Sequence, residues 1–320
     1  MNVVVLCGGY GGAKVAHGFA LEAERRRAGG EATIELSVIG NTADDLVLHG
    51  LHISPDLDTL MYTLGGWAND ETGWGVRDET WSAADMLARY GQPTWFRLGD
   101  RDLATHIVRT ERLRAGERLT TITAALARSL GVEAAILPMT DDRIATRLRT
   151  VHGWLDFQDY FVRRHHADEV LELRFDGVES ARPTAEVLSA IAGADLVVIA
   201  PSNPFVSVGP ILSLRGMTEA LSAGRARVAA VSPIVGGAAL RGPAAQLLRS
   251  LAGEQGAAGV ARHYARSHRG LIDVFVLDTA DAASAEEVTA AGYRTIVTNT
   301  VLSSDADRRT LAGELLALAD

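Results

Sequence analysis

The sequence predicts an α/β protein: a doubly wound, mainly parallel Rossmann-like sheet in one domain over residues 1–320. A helical insertion is expected over about 54–130 and a small β-rich insertion over about 143–180. Three observations predict this. Short continuous apolar runs recur along the chain, as in strands covered on both faces. Strand, loop and helix alternate, the order that produces parallel sheets. Loops rich in Gly, Ser, Asn, Thr or Asp follow the strands at 7–12, 40–45, 138–142, 201–207 and 232–237. Doubly wound sheets bind ligands beyond such C-terminal strand ends.

Composition narrows the class. A chain of 320 residues, 47% apolar and 22% charged, can bury a large core and is globular. The formal net charge of −9 argues against a general nucleic-acid surface. The single cysteine, Cys7, excludes an internal disulfide and suits a reducing compartment. The chain starts directly in a strand, without a basic leader, and no apolar run is long enough to cross a bilayer. A soluble cytoplasmic protein without nucleic-acid or membrane partners is expected.

Val3 to Leu6 form the first strand, followed by Gly8, Gly9, Gly11 and Gly12 and a helix over Lys14 to Ala28. Glycine lets backbone N–H groups approach an anion, and a helix N-terminus favours negative charge. The stretch is therefore either a phosphate cradle or a ligand-free tight turn. It is neither a Walker A loop nor the dinucleotide fingerprint, because Lys14 stands where the third glycine of the latter belongs. Ile34 to Ile39 is the second strand and runs into Asn41-Thr-Ala-Asp-Asp45.

Ser54-Pro-Asp-Leu-Asp-Thr59 suits a helix start, where acidic residues are favoured. Asp56 and Asp58 are then capping residues. Together with Asp44 and Asp45 they equally suit a hard cation such as Mg²⁺. An irregular Gly/Trp segment follows, then a helix over Trp81 to Tyr90. Arg97-Leu-Gly-Asp-Arg-Asp102 is either an internal ion-pair corner or a site wall offering guanidinium forks. Next come a helix containing Thr105 and His106, a helix over 119–130, and a strand over Ala134 to Leu137. Alternating residues from Ala145 to about Phe175 predict short antiparallel strands. His165-His166 in that stretch is expected to be exposed. A helix over 183–192 precedes the clearest central strand, Asp195 to Ala200, and the stiff polar loop 201–210. Another helix, a strand over 227–231, helices over 244–252 and 257–266, strands over 273–277 and 295–298 and a helix over 306–319 complete the chain.

Taken in order, these loops resemble the CofD/FbiA family, the 2-phospho-L-lactate or phosphoenolpyruvate transferases of coenzyme F-420 biosynthesis. The matching stretches are Gly8–Gly12, Asn41–Asp45, Ile53–Thr59, Leu98–His106, Leu137–Asp142, Ala200–Pro204, Gly209–Leu212, Ser232–Gly236 and Arg241–Pro243. The resemblance implies that a GDP-activated three-carbon acid is the donor and the deazaflavin Fo the acceptor. The ribityl hydroxyl of Fo attacks phosphorus, GMP leaves, and F-420-0 or its dehydro form results. It further implies Mg²⁺ and a homodimer.

Carried over residue by residue, Asp58 and Arg97 match the positions that contact Fo, with Asp100 and Arg101 beside them. Gly8, Gly9, Gly11, Gly12, Lys14, Ser202, Asn203, Ser232 and Gly236 would surround the nucleotide. Asp44, Asp45, Asp56 and Asp58 are the metal candidates, and Asp45 and Asp58 the candidates to take the hydroxyl proton. On this reading Asp58→Asn abolishes turnover and leaves the fold intact. The rivals are a sugar-nucleotide-binding regulator of the YvcK type and an NAD(P)-linked oxidoreductase. The acidic loops 41–45 and 53–59 favour the transferase over the first, and the broken glycine fingerprint disfavours the second.

Overall fold

The computed structural model describes residues 1–239 and 242–319, so Arg241 of the stretch Arg241–Pro243 lies outside the described residues. Its centre is a seven-stranded sheet, parallel throughout. In chain order the strands are β1 (Asn2–Cys7), β2 (Glu35–Gly40), β3 (Ala135–Pro138), β4 (Leu196–Ile199), β5 (Arg227–Val231), β6 (Val274–Asp278) and β7 (Arg294–Thr298). Across the sheet they run β3-β2-β1-β4-β5-β6-β7, so the order reverses between β1 and β4. Val3 pairs in register with Leu36 on one side and with Leu196 on the other.

Alternation along each strand feeds two cores. Val4, Leu6, Ile39, Val197, Ile199 and Phe275 pack on one face, with residues of helices Ala185–Ala192, Ala244–Ala252 and Gly256–Ser267. Val3, Val5, Val38, Leu196 and Val198 pack on the other. That face is covered by α1 (Gly9–Ala28), α2 (Pro55–Leu64) and the C-terminal helix Asp305–Leu316. Both faces being buried explains why the strands are continuous apolar runs.

α1 begins at Gly9 rather than at Lys14. The glycine run is its first turn, because Gly9, at φ +68°, reverses the chain directly into the helix. Gly12 sits where α1 crosses β1, and a Cβ there would collide with Cys7 and the Ser202 hydroxyl. Gly12→Ala is expected to cost about 1–3 kcal/mol through overpacking, read as a lower denaturant midpoint.

Residues 41–134 form a long excursion between β2 and β3. It opens with a hairpin, Leu46–Leu48 with Leu51–Ile53, whose His49-Gly50 turn has positive φ at both positions. α2, α3 (Ser82–Arg89), α4 (Asp100–Arg114) and α5 (Leu119–Ser129) follow. A three-stranded antiparallel sheet, Ala145–Thr150, Gly153–Asp156 and Glu172–Asp176, lies between β3 and β4. Among the described residues no helix is long and apolar enough to cross a membrane.

Candidate active site

Between β1 and β4, where neighbouring strands send their connections in opposite directions, a crevice is unavoidable. Here it is a cavity of about 810 Å³. The sheet contributes Gly8, Gly9, Gly11 and Lys14 after β1, Asp44 after β2, Ser202 and Asn203 after β4, Ser232 after β5 and Thr300 after β7. The loop after β3 does not reach it, because β3 is the edge strand farthest from the switch point on its side. Asp141 of that loop instead accepts from the Thr120 N–H at 2.8 Å and pairs with Arg118 at 2.8 Å, tying down the start of α5.

The glycine turn is held from within the protein. The Gly8 N–H donates to Ser202 Oγ at 3.2 Å, and Ser202 Oγ donates to Gly8 O at 2.8 Å. The Gly9 N–H donates to Asp56 Oδ1 at 2.7 Å. Gly11 borders the cavity, whereas Gly12 serves helix–strand packing. Lys14 Nζ donates to Leu302 O at 2.9 Å and lies 4.7 Å over the Tyr10 ring. Asn203 uses its Oδ1 to accept from the Phe205 N–H at 2.9 Å. Its Nδ2 is buried without a hydrogen-bond partner among the described residues. Ser232 Oγ donates to Ile234 O at 2.9 Å. Gly236 lies outside the cavity, at φ +59° in the turn of a small hairpin, where Asp281 accepts its N–H at 2.9 Å. Burial pushes the Cys7 thiol far up, so Cys7 is a core residue and no nucleophile.

The four predicted aspartates divide between two environments. Asp44, Asp56 and Asp58 border the cavity. Asp45 stands behind it, its Oδ2 shared by Ser54 Oγ at 2.6 Å and His52 Nε2 at 3.0 Å. Asp56 does not cap α2. Its carboxyl reaches back across the site to the Gly9 N–H and to Asn41 Nδ2, the latter at 2.9 Å. Burial pushes Asp56 up to about 6, against the pull of those hydrogen bonds. Burial and the neighbouring charge of Asp56 raise Asp44 well above the carboxylate range. Burial raises Asp45 too, opposed by His52.

Asp58 belongs to a second, buried group between α2 and α4. Both its oxygens are gripped by Arg109, with Nη1 to Oδ2 at 3.2 Å and Nη2 to Oδ1 as the closer contact. Arg109 Nη1 also lies 3.3 Å from His106 Nδ1, and His106 Nε2 lies 3.2 Å from Asp102 Oδ2. Tyr62 Oη donates to Asp102 Oδ1 at 2.7 Å. Burial alone would raise Asp102, but its bonds with His106 and Tyr62 and the charge of Arg109 outweigh it and hold the group low. Asp58, Asp102 and His106 are the one group of three or more His, Cys, Asp or Glu among the described residues whose ligating atoms lie within 4.8 Å of each other. No three of the predicted quartet Asp44, Asp45, Asp56 and Asp58 come that close.

The stretch 97–102 splits as well. Arg97 borders the cavity, stacked 3.8 Å over the Trp81 ring. Asp100 faces away and caps α3, accepting from the Ser82 N–H at 3.0 Å and the Ala83 N–H at 2.9 Å. Arg101 is exposed and donates to Arg77 O at 3.0 Å. The residue of this stretch that joins Arg97 in the cavity wall is Asp102. Its spacing from His106 and Arg109, i, i+4 and i+7 on one helix face, was a usable signal.

The two excursions supply the apolar lining, with Trp74, Trp95 and Phe96 from the first and Phe157 and Phe161 from the second. The last two stack at 5.4 Å. His165 is exposed, as expected, at the rim of the cavity, whereas His166 is half-buried and stacks on Phe161 at 5.6 Å.

The family model described as 2-phospho-L-lactate transferase CofD matches residues 3–313. A Streptomyces griseus protein named phosphoenolpyruvate transferase is 43% identical over 329 aligned positions, covering 100% of this chain and 99% of its own. A Mycobacterium avium protein of the same name is 45% identical, covering 90% of this chain and 91% of its own. A crystal structure of a UPF0052 family protein from Bacillus halodurans shares the fold, with a TM-score of 0.66 over 98% of both chains at 15% identity. A glycine turn and buried carboxylates meet at the switch point of a chain matched along almost its whole length, and the chain belongs to the 2-phospho-L-lactate transferase CofD family and is a transferase.

Proposed function

We propose that the protein transfers enolpyruvyl phosphate from its GDP-activated form to the ribityl hydroxyl of Fo, releasing GMP and forming dehydro-F-420-0. The names of the relatives favour the enolpyruvyl over the lactyl acid. One observation carries the reading: a single cavity joins donors suited to phosphate, buried carboxylates suited to hydroxyls, and an aromatic lining suited to a flat heterocycle. In the transfer the ribityl O–H breaks as an O–P bond forms. The P–O bond to GMP breaks, and the proton passes to a carboxylate. Such chemistry depends on positioning and charge neutralisation more than on covalent help.

The chain's own groups divide the work. Lys14 and the Asn203 amide would hold the diphosphate, while Ser202, its one proton given to Gly8 O, shapes the turn beside it. Arg97 and the aromatic side chains would orient the deazaflavin. Asp58 would accept the proton, and Asp45 would act through His52 and Ser54 rather than by contact. The residues fit a divalent cation, because Asp44 Oδ1, on the cavity, is a buried carboxylate oxygen without a hydrogen-bond partner among the described residues. Asp44 and Asp56 would hold Mg²⁺, which neutralises phosphate charge when bound.

The test is Fo turnover with Mg²⁺, followed by chromatography and mass, offering guanylylated phosphoenolpyruvate, phospholactate and 3-phosphoglycerate separately. An Fo phosphodiester with GMP release supports the transfer and identifies the acid. No product from folded protein with any donor overturns it. In parallel, GDP plus Fo should raise the melting temperature where UDP-sugars and NAD(P)H do not, the bound state gaining about 2.7 kcal/mol of stability at a hundredfold excess over Kd.

A further inference from the structure

We propose that Arg109 is a positioning residue for the transfer: its guanidinium fixes the orientation of the Asp58 carboxylate toward the acceptor hydroxyl without itself touching substrate. This rests on the reading just given. Asp58, Asp102, His106 and Tyr62 all border the cavity, whereas Arg109 does not. Arg109 is 0% exposed, so any effect it has on chemistry must pass through the groups it holds.

The carboxyl torsion of an aspartate is broad, and a free Asp58 would rotate. A guanidinium fork bound to both oxygens removes that freedom and leaves the remaining lone pairs with one direction. The fork is itself held. Arg109 Nη1 carries hydrogen, so the facing His106 Nδ1 is the acceptor and the His106 ring proton sits on Nε2, toward Asp102. Tyr62 Oη closes the chain on the other Asp102 oxygen. The Asp58 carboxylate is thus held by Arg109, the Arg109 fork meets His106, and Asp102 with its Tyr62 partner packs beside the imidazole. A simple tie between α2 and α4 would not need this, because apolar contacts join helices without the desolvation cost of a buried charge pair.

Arg109→Lys separates the two roles, since it keeps the charge and loses the fork. Wild-type turnover is measured first, and its failure with all three donors would overturn the functional reading and this proposal with it. Given wild-type turnover, Arg109→Lys is expected to lower kcat on the order of 100-fold, while KM for the guanylylated donor stays within about twofold. A kcat within about threefold of wild type in the folded variant would make Arg109 a helix tie and overturn the proposal. Should Arg109→Lys not fold, Arg109→Gln keeps an N–H donor toward Asp58 and takes its place, with the same split expected. Failure of both to fold, beside a folded Asp58→Asn, would mark Arg109 as structural and likewise overturn the proposal.

Discussion

Asp58→Asn is expected to lose turnover and stability together. As the proton acceptor its removal should lower kcat by about 10²–10⁴-fold, the usual worth of a general base. The structure adds a cost the sequence does not disclose. Asp58 is the carboxylate that neutralises Arg109, which is fully buried. An amide at residue 58 can still accept one hydrogen bond but leaves the guanidinium charge without its counter-charge. Breaking such a pair from one side costs about 3–5 kcal/mol. The sequence-based expectation of an intact fold is therefore revised to a folded but markedly less stable variant. Fo turnover and a denaturant midpoint at one pH check both parts. Wild-type turnover in Asp58→Asn would remove Asp58 from the chemistry, and an unchanged midpoint would show that other groups compensate Arg109.

Excess EDTA is expected to stop the reaction, and Mg²⁺ to stabilise the protein more as pH rises. The sign follows from the raised carboxyls. Asp56 goes from 3.8 when unfolded to about 6 when folded, so the native state holds the proton more tightly. Its contribution is fully present below the unfolded value and is lost as pH rises through about 6, a change on the order of 3 kcal/mol. Asp44 and Asp45 are shifted in the same direction. A cation that occupies these carboxylates reverses the loss. The melting temperature gained on adding Mg²⁺ should therefore be larger at about pH 7.5 than at about pH 5, and Asp44→Asn should shrink it. Full turnover in excess EDTA, or a Mg²⁺ increment independent of pH, would sink the metal assignment.

The sheet was legible because its signals are local. Val3 to Leu6 and Asp195 to Ala200 are apolar runs bounded by polar loops, and both became central strands. The hairpin 46–53 escaped notice because its strands are three residues each and its turn depends on His49 taking positive φ. His165 is exposed as the sequence suggested, but the half-burial of His166 escaped because its partner, Phe161, reaches it through the fold of the second excursion. In the site, Arg97 was placed on the cavity and its neighbours Asp100 and Arg101 were not distinguished from it. Helical geometry turns Asp100 toward the start of α3 and Asp102 toward the cavity, a difference of two residues on one helix.

By itself the sequence determined the sheet, the strand ends that carry polar loops and the family, because periodicity and ordered motifs are properties of neighbours along the chain. The tertiary structure alone decided what each aspartate touches. Whether a carboxylate meets a guanidinium, a backbone N–H or a cation depends on groups far away in sequence. Arg109 reaches Asp58 across 51 residues, and Asp56 reaches Gly9 across 47. In a buried site of low dielectric those partners, and not the residue type, set the charge and direction of each carboxyl.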